Sequence, residues 1–148
     1  MHSISIKGFT LIETLVALLI LSIGLLGMAG LQIVSLQSSN GALSRSQATM
    51  LSYDLVERIR RNPEQIDYYK DSLDTKPEST NCISTTCTAE QLAQEDLFQW
   101  STELDQAIPG AIANMTDKDN QYTLSISWNE SQFGNNNINM SYDMTFEL

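Results

Sequence analysis

The 148-residue sequence predicts an α+β protein in which a long N-terminal α-helix packs on a small antiparallel β-sheet. Three observations predict this class. No charged residue occurs from Thr14 to Ser44, so the first part of the helix is apolar. Apolar residues at helical spacing then continue almost to Pro63. The last third of the chain alternates apolar and polar residues, as half-buried strands do.

The long helix is predicted to run from about Phe9 to Asn62 and to have two halves. The first half, residues 9–34, includes a 20-residue run, Leu15 to Val34, in which the only polar side chains are Ser22 and Gln32, and this run is long enough to cross a membrane. The second half, residues 35–62, is amphipathic. Lys7 on the N-terminal side favours a cytoplasmic start. An ordinary secretory signal is the alternative, but the apolar run is longer than the core of such a signal.

The amphipathic half carries apolar residues at spacings of four and seven, which we interpret as one stripe facing the rest of the protein. These residues are Leu36, Leu43, Met50, Leu51, Leu55 and Ile59. Arg58, Arg60 and Arg61 lie at the end of this half, where cations offset the negative end of the helix dipole. We interpret them as a helix end balanced by neighbouring acids rather than as a site for nucleic acid or lipid headgroups.

Residues 63–148 are predicted to form a globular domain. Its first part, 63–87, is polar and is interpreted as a connecting loop. A second helix is predicted over 88–108 and a sheet over 111–148. Strict alternation predicts two strands, over residues 122–128 and 138–146. A weaker pattern predicts a third strand before them, over residues 111–116.

The second helix has clear start and stop signals. Thr88 and Gln91 have the spacing of a capping box, and Pro109-Gly110 ends the helix. Its apolar residues are predicted to line one broad face: Leu92, Leu97, Trp100, Leu104 and Ile108.

The chain has two cysteines, Cys82 and Cys87, separated by four residues. Because the apolar span translocates the part of the chain after it, both cysteines are expected to face an oxidising periplasm, where disulfides form. We predict that they are bridged, which stabilises the domain by about 2 kcal/mol in the loop-entropy model. Two free thiols are the alternative.

Composition argues against several classes of function. The single histidine, His2, lies near the N-terminus, and two cysteines alone do not complete a tetrahedral zinc site. No glycine-rich phosphate-binding loop occurs. The net charge of −10 argues against direct nucleic-acid binding on electrostatic grounds. We therefore predict no enzymatic activity, no catalytic residue, no metal site and no cofactor, and we expect a structural or binding role.

The segment from Lys7 to Glu13, KGFTLIE, followed by the apolar run, resembles the class III leader of type IV pilins and pseudopilins. The resemblance implies that 1–8 is a leader peptide, that a prepilin peptidase cuts between Gly8 and Phe9, and that the new amine of Phe9 is N-methylated. Glu13 would then be the fifth residue of the product. Because an unpaired carboxylate is costly in lipid, Glu13 can select the Phe9 amine of a neighbouring subunit. We therefore assign Glu13 to assembly.

A second resemblance, to PilV-type minor pilins, lies in residues 36–37, 44–48 and 53–63. The last of these ranges ends in the pattern R-x-R-x-N-P. This resemblance implies a single-pass inner-membrane subunit with a periplasmic domain that joins a type IV pilus fibre. Its implied partners are other minor and major pilins and the inner-membrane assembly machinery. By the same resemblance it primes or modifies the fibre, with effects on twitching, adhesion and DNA uptake. The alternatives are a pseudopilin of a type II secretion system and an uncleaved, membrane-anchored binding module.

Gly24, Gly27 and Gly30 interrupt the apolar span at three-residue spacing. Each destabilises a helix interior by about 1 kcal/mol relative to alanine. Two interpretations stay open: the glycines let membrane helices approach closely, or they mark a segment that unwinds when a fibre is stretched.

Overall fold

A computed structural model describes residues 10–82, 84, 86–131 and 137–148 of the chain. Its helices and strands, in chain order, are α1 (Leu11–Arg61), α2 (Ile66–Ser72), α3 (Ala89–Ala107), β1 (Ile112–Lys118), β2 (Gln121–Ser131) and β3 (Asn137–Phe146). A short 3₁₀ turn, Pro63–Gln65, precedes α2. The chain divides into two compact units, one ending at Ser38 and the other running from Ser39 to Leu148.

In the N-terminal unit, α1 is apolar on every side. Among the described residues it is the one helix long and apolar enough to cross a membrane. The hydroxyls of Thr14 and Ser22 bond to the helix itself, and Ser22 Oγ donates to the carbonyl of Leu18 at 2.7 Å. The helix continues without interruption through Gly24, Gly27 and Gly30.

In the second unit, the C-terminal part of α1 packs with α3 and the sheet around one hydrophobic core. The largest side chains that are almost completely buried come from all these elements and from α2: Leu55, Val56, Ile59, Tyr69, Leu97, Trp100, Leu124 and Ile126. Trp100 Nε1 donates a 2.8 Å hydrogen bond to the carbonyl of Leu51, so the one polar atom of this indole is satisfied inside the core.

The sheet has the order β1-β2-β3, and both pairs are antiparallel. β1 and β2 are joined by Asp119 and Asn120, whose φ angles of 51° and 66° lie in the left-handed region. Aspartate and asparagine tolerate that region, and a two-residue turn of this kind suits the twist of a hairpin. The predicted fold class is confirmed, and the weakly predicted first strand is present as β1.

The single apolar stripe predicted for α1 was wrong. Leu51, Leu55 and Ile59 are buried, but Leu36, Leu43 and Met50 are 65%, 56% and 67% exposed. At about 100° per residue, the centres of the two sets lie about 120° apart around the helix, so they form two different sides of it. Heptad spacing alone did not reveal which side faces the core.

The segment 63–87, predicted as a connecting loop, contains the 3₁₀ turn and α2. Tyr69 and Leu73 are buried, because a short helix brings them to the same side. The polar residues around them hid this pattern in the sequence. In α3 the predicted apolar face is buried except at Leu92, which is exposed.

Candidate functional site

Glu13 lies exposed in the first turn of α1. Its backbone N–H donates to the carbonyl of Thr10 at 3.1 Å, and the hydroxyl of Thr14 donates to the carbonyl of Leu11 at 2.9 Å. Hydrogen bonds between residues of this first turn therefore stabilise the start of the helix. Gly8 and Phe9, the predicted cleavage and methylation site, lie outside the described residues. The structure thus places the carboxylate but not the amine predicted to pair with it.

The apolar side chains that come after Glu13 are exposed throughout the N-terminal unit. They include Leu26 and Leu31, each more than 70% exposed. A contiguous apolar surface of this length is not stable in water and requires lipid or other apolar helices around it.

A second exposed apolar surface lies on α1 within the C-terminal unit, and we call it the outer stripe. It consists of Leu43, Met50 and Tyr53, and Tyr53 is 55% exposed. The ion pair between Glu57 and Arg60, with an N–O distance of 2.7 Å, comes next along the helix. Leu43 and Met50 had been predicted to lie on the core-facing stripe.

Cys82 and Cys87 form the predicted disulfide, with their Cα atoms 5.6 Å apart. The bridge ends just before Thr88, the N-cap of α3. The predicted capping box is present: Gln91 N donates to Thr88 Oγ1 at 3.2 Å, and Thr88 N donates to Gln91 Oε1 at 3.0 Å. The bridged segment is therefore anchored directly to the start of α3.

Glu95 holds the chain that leads into the disulfide, and sequence reasoning missed it. Its Oε2 accepts hydrogen bonds from Ser79 Oγ at 2.8 Å and from the backbone N–H groups of Thr80 and Asn81 at 2.8 and 3.0 Å. Its Oε1 accepts from Gln99 Nε2 at 3.0 Å. Burial by itself raises the pKa of this carboxyl, but these hydrogen bonds outweigh it, and the net effect lowers the pKa.

Arg58 joins α1 to α3. Its guanidinium lies 2.7 Å from a carboxylate oxygen of Asp54, 3.5 Å from one of Asp96 and 3.7 Å from one of Glu103. Tyr69 of α2 donates to Asp96 at 2.7 Å. Burial, followed by this hydrogen bond to a carboxylate, raises the pKa of the Tyr69 phenol. Arg58 and Arg60 are thus balanced by acids, as predicted for the basic helix end.

The geometry favours an interaction site over a catalytic one. Within the described part of the chain, no group of three or more His, Cys, Asp or Glu side chains could hold a metal ion. The polar clusters around Arg58 and Glu95 bind parts of the protein to one another. Among the described residues, the surfaces that remain open to other molecules include the carboxylate of Glu13, the apolar helix behind it and the outer stripe.

Comparison with known protein families gives two adjacent matches. Residues 5–29 match the family model described as the prokaryotic N-terminal methylation motif. Residues 30–98 match the family model described as type IV pilin Tt1218. No curated protein and no solved structure matches the chain.

An apolar N-terminal helix, a small α+β unit and a methylation motif define a pilin-like class of protein. The chain is a type IV pilin-like subunit that is processed at its N-terminal methylation motif. The matched pilin family is structural rather than enzymatic. The motif implies processing by a prepilin peptidase and assembly into a pilus, and the apolar helix is consistent with a location in the membrane and the pilus.

Proposed function

We propose that this chain is a minor pilin of the PilV type that primes or modifies a type IV pilus. In this proposal residues 1–8 are removed by cleavage between Gly8 and Phe9, and the new amine of Phe9 is methylated. Residues 9–34 hold the subunit in the inner membrane and later lie in the fibre core. Residues 35–62 continue the helix, and residues 63–148 form the periplasmic domain. Effects on twitching, adhesion and DNA uptake arise from the fibre rather than from a ligand of this subunit.

The observation that carries the proposal is a helix that is apolar on all sides and has one carboxylate at its start. Between Glu13 and Arg45 this helix contains no charge. Such a helix is stable in lipid and equally stable among other apolar helices, so it can move from one to the other at a small change in free energy. Extraction into a fibre requires this exchange.

During this exchange, Glu13 determines the stagger between the helices of neighbouring subunits. A carboxylate at the edge of lipid is unfavourable unless a cation reaches it, and removal of residues 1–8 creates a cation at Phe9. The amine of a neighbouring subunit approaches Glu13 only when the two helices are correctly staggered. Because the pair forms in low dielectric, a wrong stagger leaves two unpaired charges and is strongly disfavoured.

The test is the substitution Glu13→Gln, which removes the charge and keeps the size. We expect normal processing, with N-terminal sequencing beginning at methylated Phe9, and at least a tenfold lower amount of the variant in sheared surface fibres. The amount in fibres is measured by immunoblot relative to the amount in membranes. Glu57→Gln, on the same helix but outside the apolar segment, is the matched control and should assemble normally.

Three outcomes would contradict the proposal. Unimpaired entry of Glu13→Gln into fibres would remove the pairing mechanism. A native N-terminus at Met1 would favour an uncleaved membrane-anchored binding module. Recovery of the native chain with a type II secretion complex, and not with surface fibres, would identify it as a pseudopilin.

A further inference from the structure

The two edges of the sheet differ in how they are protected. Beside β1, Lys70 of α2 bonds to Asp117 at 3.2 Å, and Lys118 adds a second charge to that strand. Charges and a covering element are common means of preventing an edge strand from pairing with another chain. β3, which forms the other edge, has ten residues, no proline and one charged side chain, Asp143. Within the described part of the chain, no strand pairs with β3 on the side away from β2.

The inner face of the sheet is also incomplete at β3. Met115 of β1 and Leu124 of β2 are buried, whereas Met144, the next residue across the sheet, is only partly buried. Tyr142 and Met140 are likewise partly exposed, although the β2 residues paired with them are buried. Phe146 at the end of β3 is buried, and Arg45 of α1 reaches Met140 Sδ at 4.0 Å, so the core is open along β3 only at the partly exposed side chains of Met140, Tyr142 and Met144.

We propose that β3 receives an extended strand from a partner protein. The added strand would pair with the backbone N–H and C=O groups on the free side of β3. The side chains of β3 that the added strand would contact determine which residues that strand should carry. Apolar residues at alternate positions would cover Met140, Tyr142 and Met144, and small polar residues would lie between them. A lysine or arginine beside Asp143 would form a cross-strand ion pair.

Charge argues for a basic partner strand rather than a second copy of this chain. The unit from Ser39 to Leu148 has 17 acidic and seven basic residues, so two copies repel each other. A cationic strand is attracted to the same unit. Strand addition at β3 does not depend on assembly of a pilus, because it requires only the open edge and its side chains.

The test uses a synthetic peptide, Val-Thr-Val-Lys-Val-Thr-Val, with blocked ends, and the full chain in detergent micelles. This peptide reads the same in both directions, so it can pair in parallel or antiparallel orientation with its lysine beside Asp143. We expect slower amide hydrogen exchange in residues 140–146, at about every second residue, because alternate N–H groups of an edge strand face away from its partner. Residues 112–118 of β1 should not change.

Exchanging the charge at position 143 distinguishes strand pairing from a general effect on the fold. Asp143→Lys should weaken binding of the lysine peptide by about two- to fivefold and strengthen binding of the matching glutamate peptide by a similar factor. Thr116→Lys, at an exposed position on β1, should change neither. A variant that merely unfolds would lose both peptides.

The proposal is overturned if the peptide protects neither strand or protects β1 equally, or if Asp143→Lys does not reverse the preference between peptides. Protection of β3 without peptide that disappears on dilution would identify a second copy of this chain as the occupant, and would also overturn it.

Discussion

Glu95 and Glu13 have the same side chain in opposite surroundings. Glu95 is 6% exposed and accepts hydrogen bonds from hydroxyl, amide and backbone donors on α3 and on the segment 79–81. Glu13 lies exposed at the start of an apolar helix. The first carboxylate stabilises the subunit, because its donors are already in place. The second is suited to assembly, because its proposed cation comes from another chain.

At the scale of this residue, we expect Glu95→Gln to reduce stability at pH 7 by about 1–3 kcal/mol, since the backbone N–H groups of Thr80 and Asn81 lose a charged, partly buried acceptor. The pKa of Glu95 is lowered in the folded protein, so its contribution is complete above the unfolded pKa, about 4.3. That contribution is lost as the pH falls through the folded pKa. Thermal unfolding from pH 7 to pH 3 should therefore be less acid-sensitive in the variant.

Glu78→Gln is the control for this prediction, because Glu78 is an exposed acid just before the same segment. It should unfold like the native chain at every pH. Equal acid sensitivity of the native chain and Glu95→Gln would show that Glu95 does not hold the segment 79–81 through its charge.

At the scale of the element, α1 has two different apolar sides in the second unit. One side, which includes Leu55, packs into the core, and the other is the outer stripe. Burial stabilises the fold only on the first side. The outer stripe exposes apolar surface without a partner among the described residues, and such surfaces are typical of contacts with other molecules.

We expect Leu55→Ala to lower stability by about 2–5 kcal/mol, because it leaves a cavity beside α3 and the sheet. Met50→Ala should change stability by less than about 0.5 kcal/mol and should instead reduce the amount of the chain in fibres. Thermal unfolding and immunoblots of sheared fibres measure the two effects. If Met50→Ala destabilises the subunit as much as Leu55→Ala, the outer stripe is part of the core.

At the scale of the whole molecule, charge is divided unevenly along the chain. The apolar part of α1 has no charge between Glu13 and Arg45, whereas the second unit has 17 of the 18 acidic residues. The acidic unit cannot enter lipid, and the apolar helix cannot remain in water. The two parts therefore require different surroundings, and a membrane anchor with an aqueous domain provides both.

We expect this aqueous domain to lie on the periplasmic side. In Thr116→Cys the new thiol is exposed on the outer face of β1, and a membrane-impermeant maleimide should label it in intact spheroplasts. The native chain should stay unlabelled without reductant, because Cys82 and Cys87 are bonded to each other. Labelling of Thr116→Cys only after lysis would place the domain in the cytoplasm.

Features that depend on nearby residues could be predicted from the sequence. The methylation motif, the apolar span, the capping box at Thr88, the disulfide and the alternating strands each depend on residues within about one helix or strand of each other. Dependence on local spacing also explains why the predictions for segment 63–87 and for the apolar stripe of α1 failed in part. α2 is too short for its apolar residues to dominate the polar segment around it, and spacing alone placed Leu43 and Met50 on the wrong side of α1.

The sequence by itself determined that this chain is an apolar helix joined to an acidic α+β domain, because hydrophobic periodicity and charge are local properties. Only the tertiary structure decided which side of α1 faces the core, that Glu95 holds the segment before Cys82, and that the core is partly open at residues 140–144 of β3. Each of these depends on which distant segments contact one another, and the packing of helices on a sheet is settled only when all of them are in place.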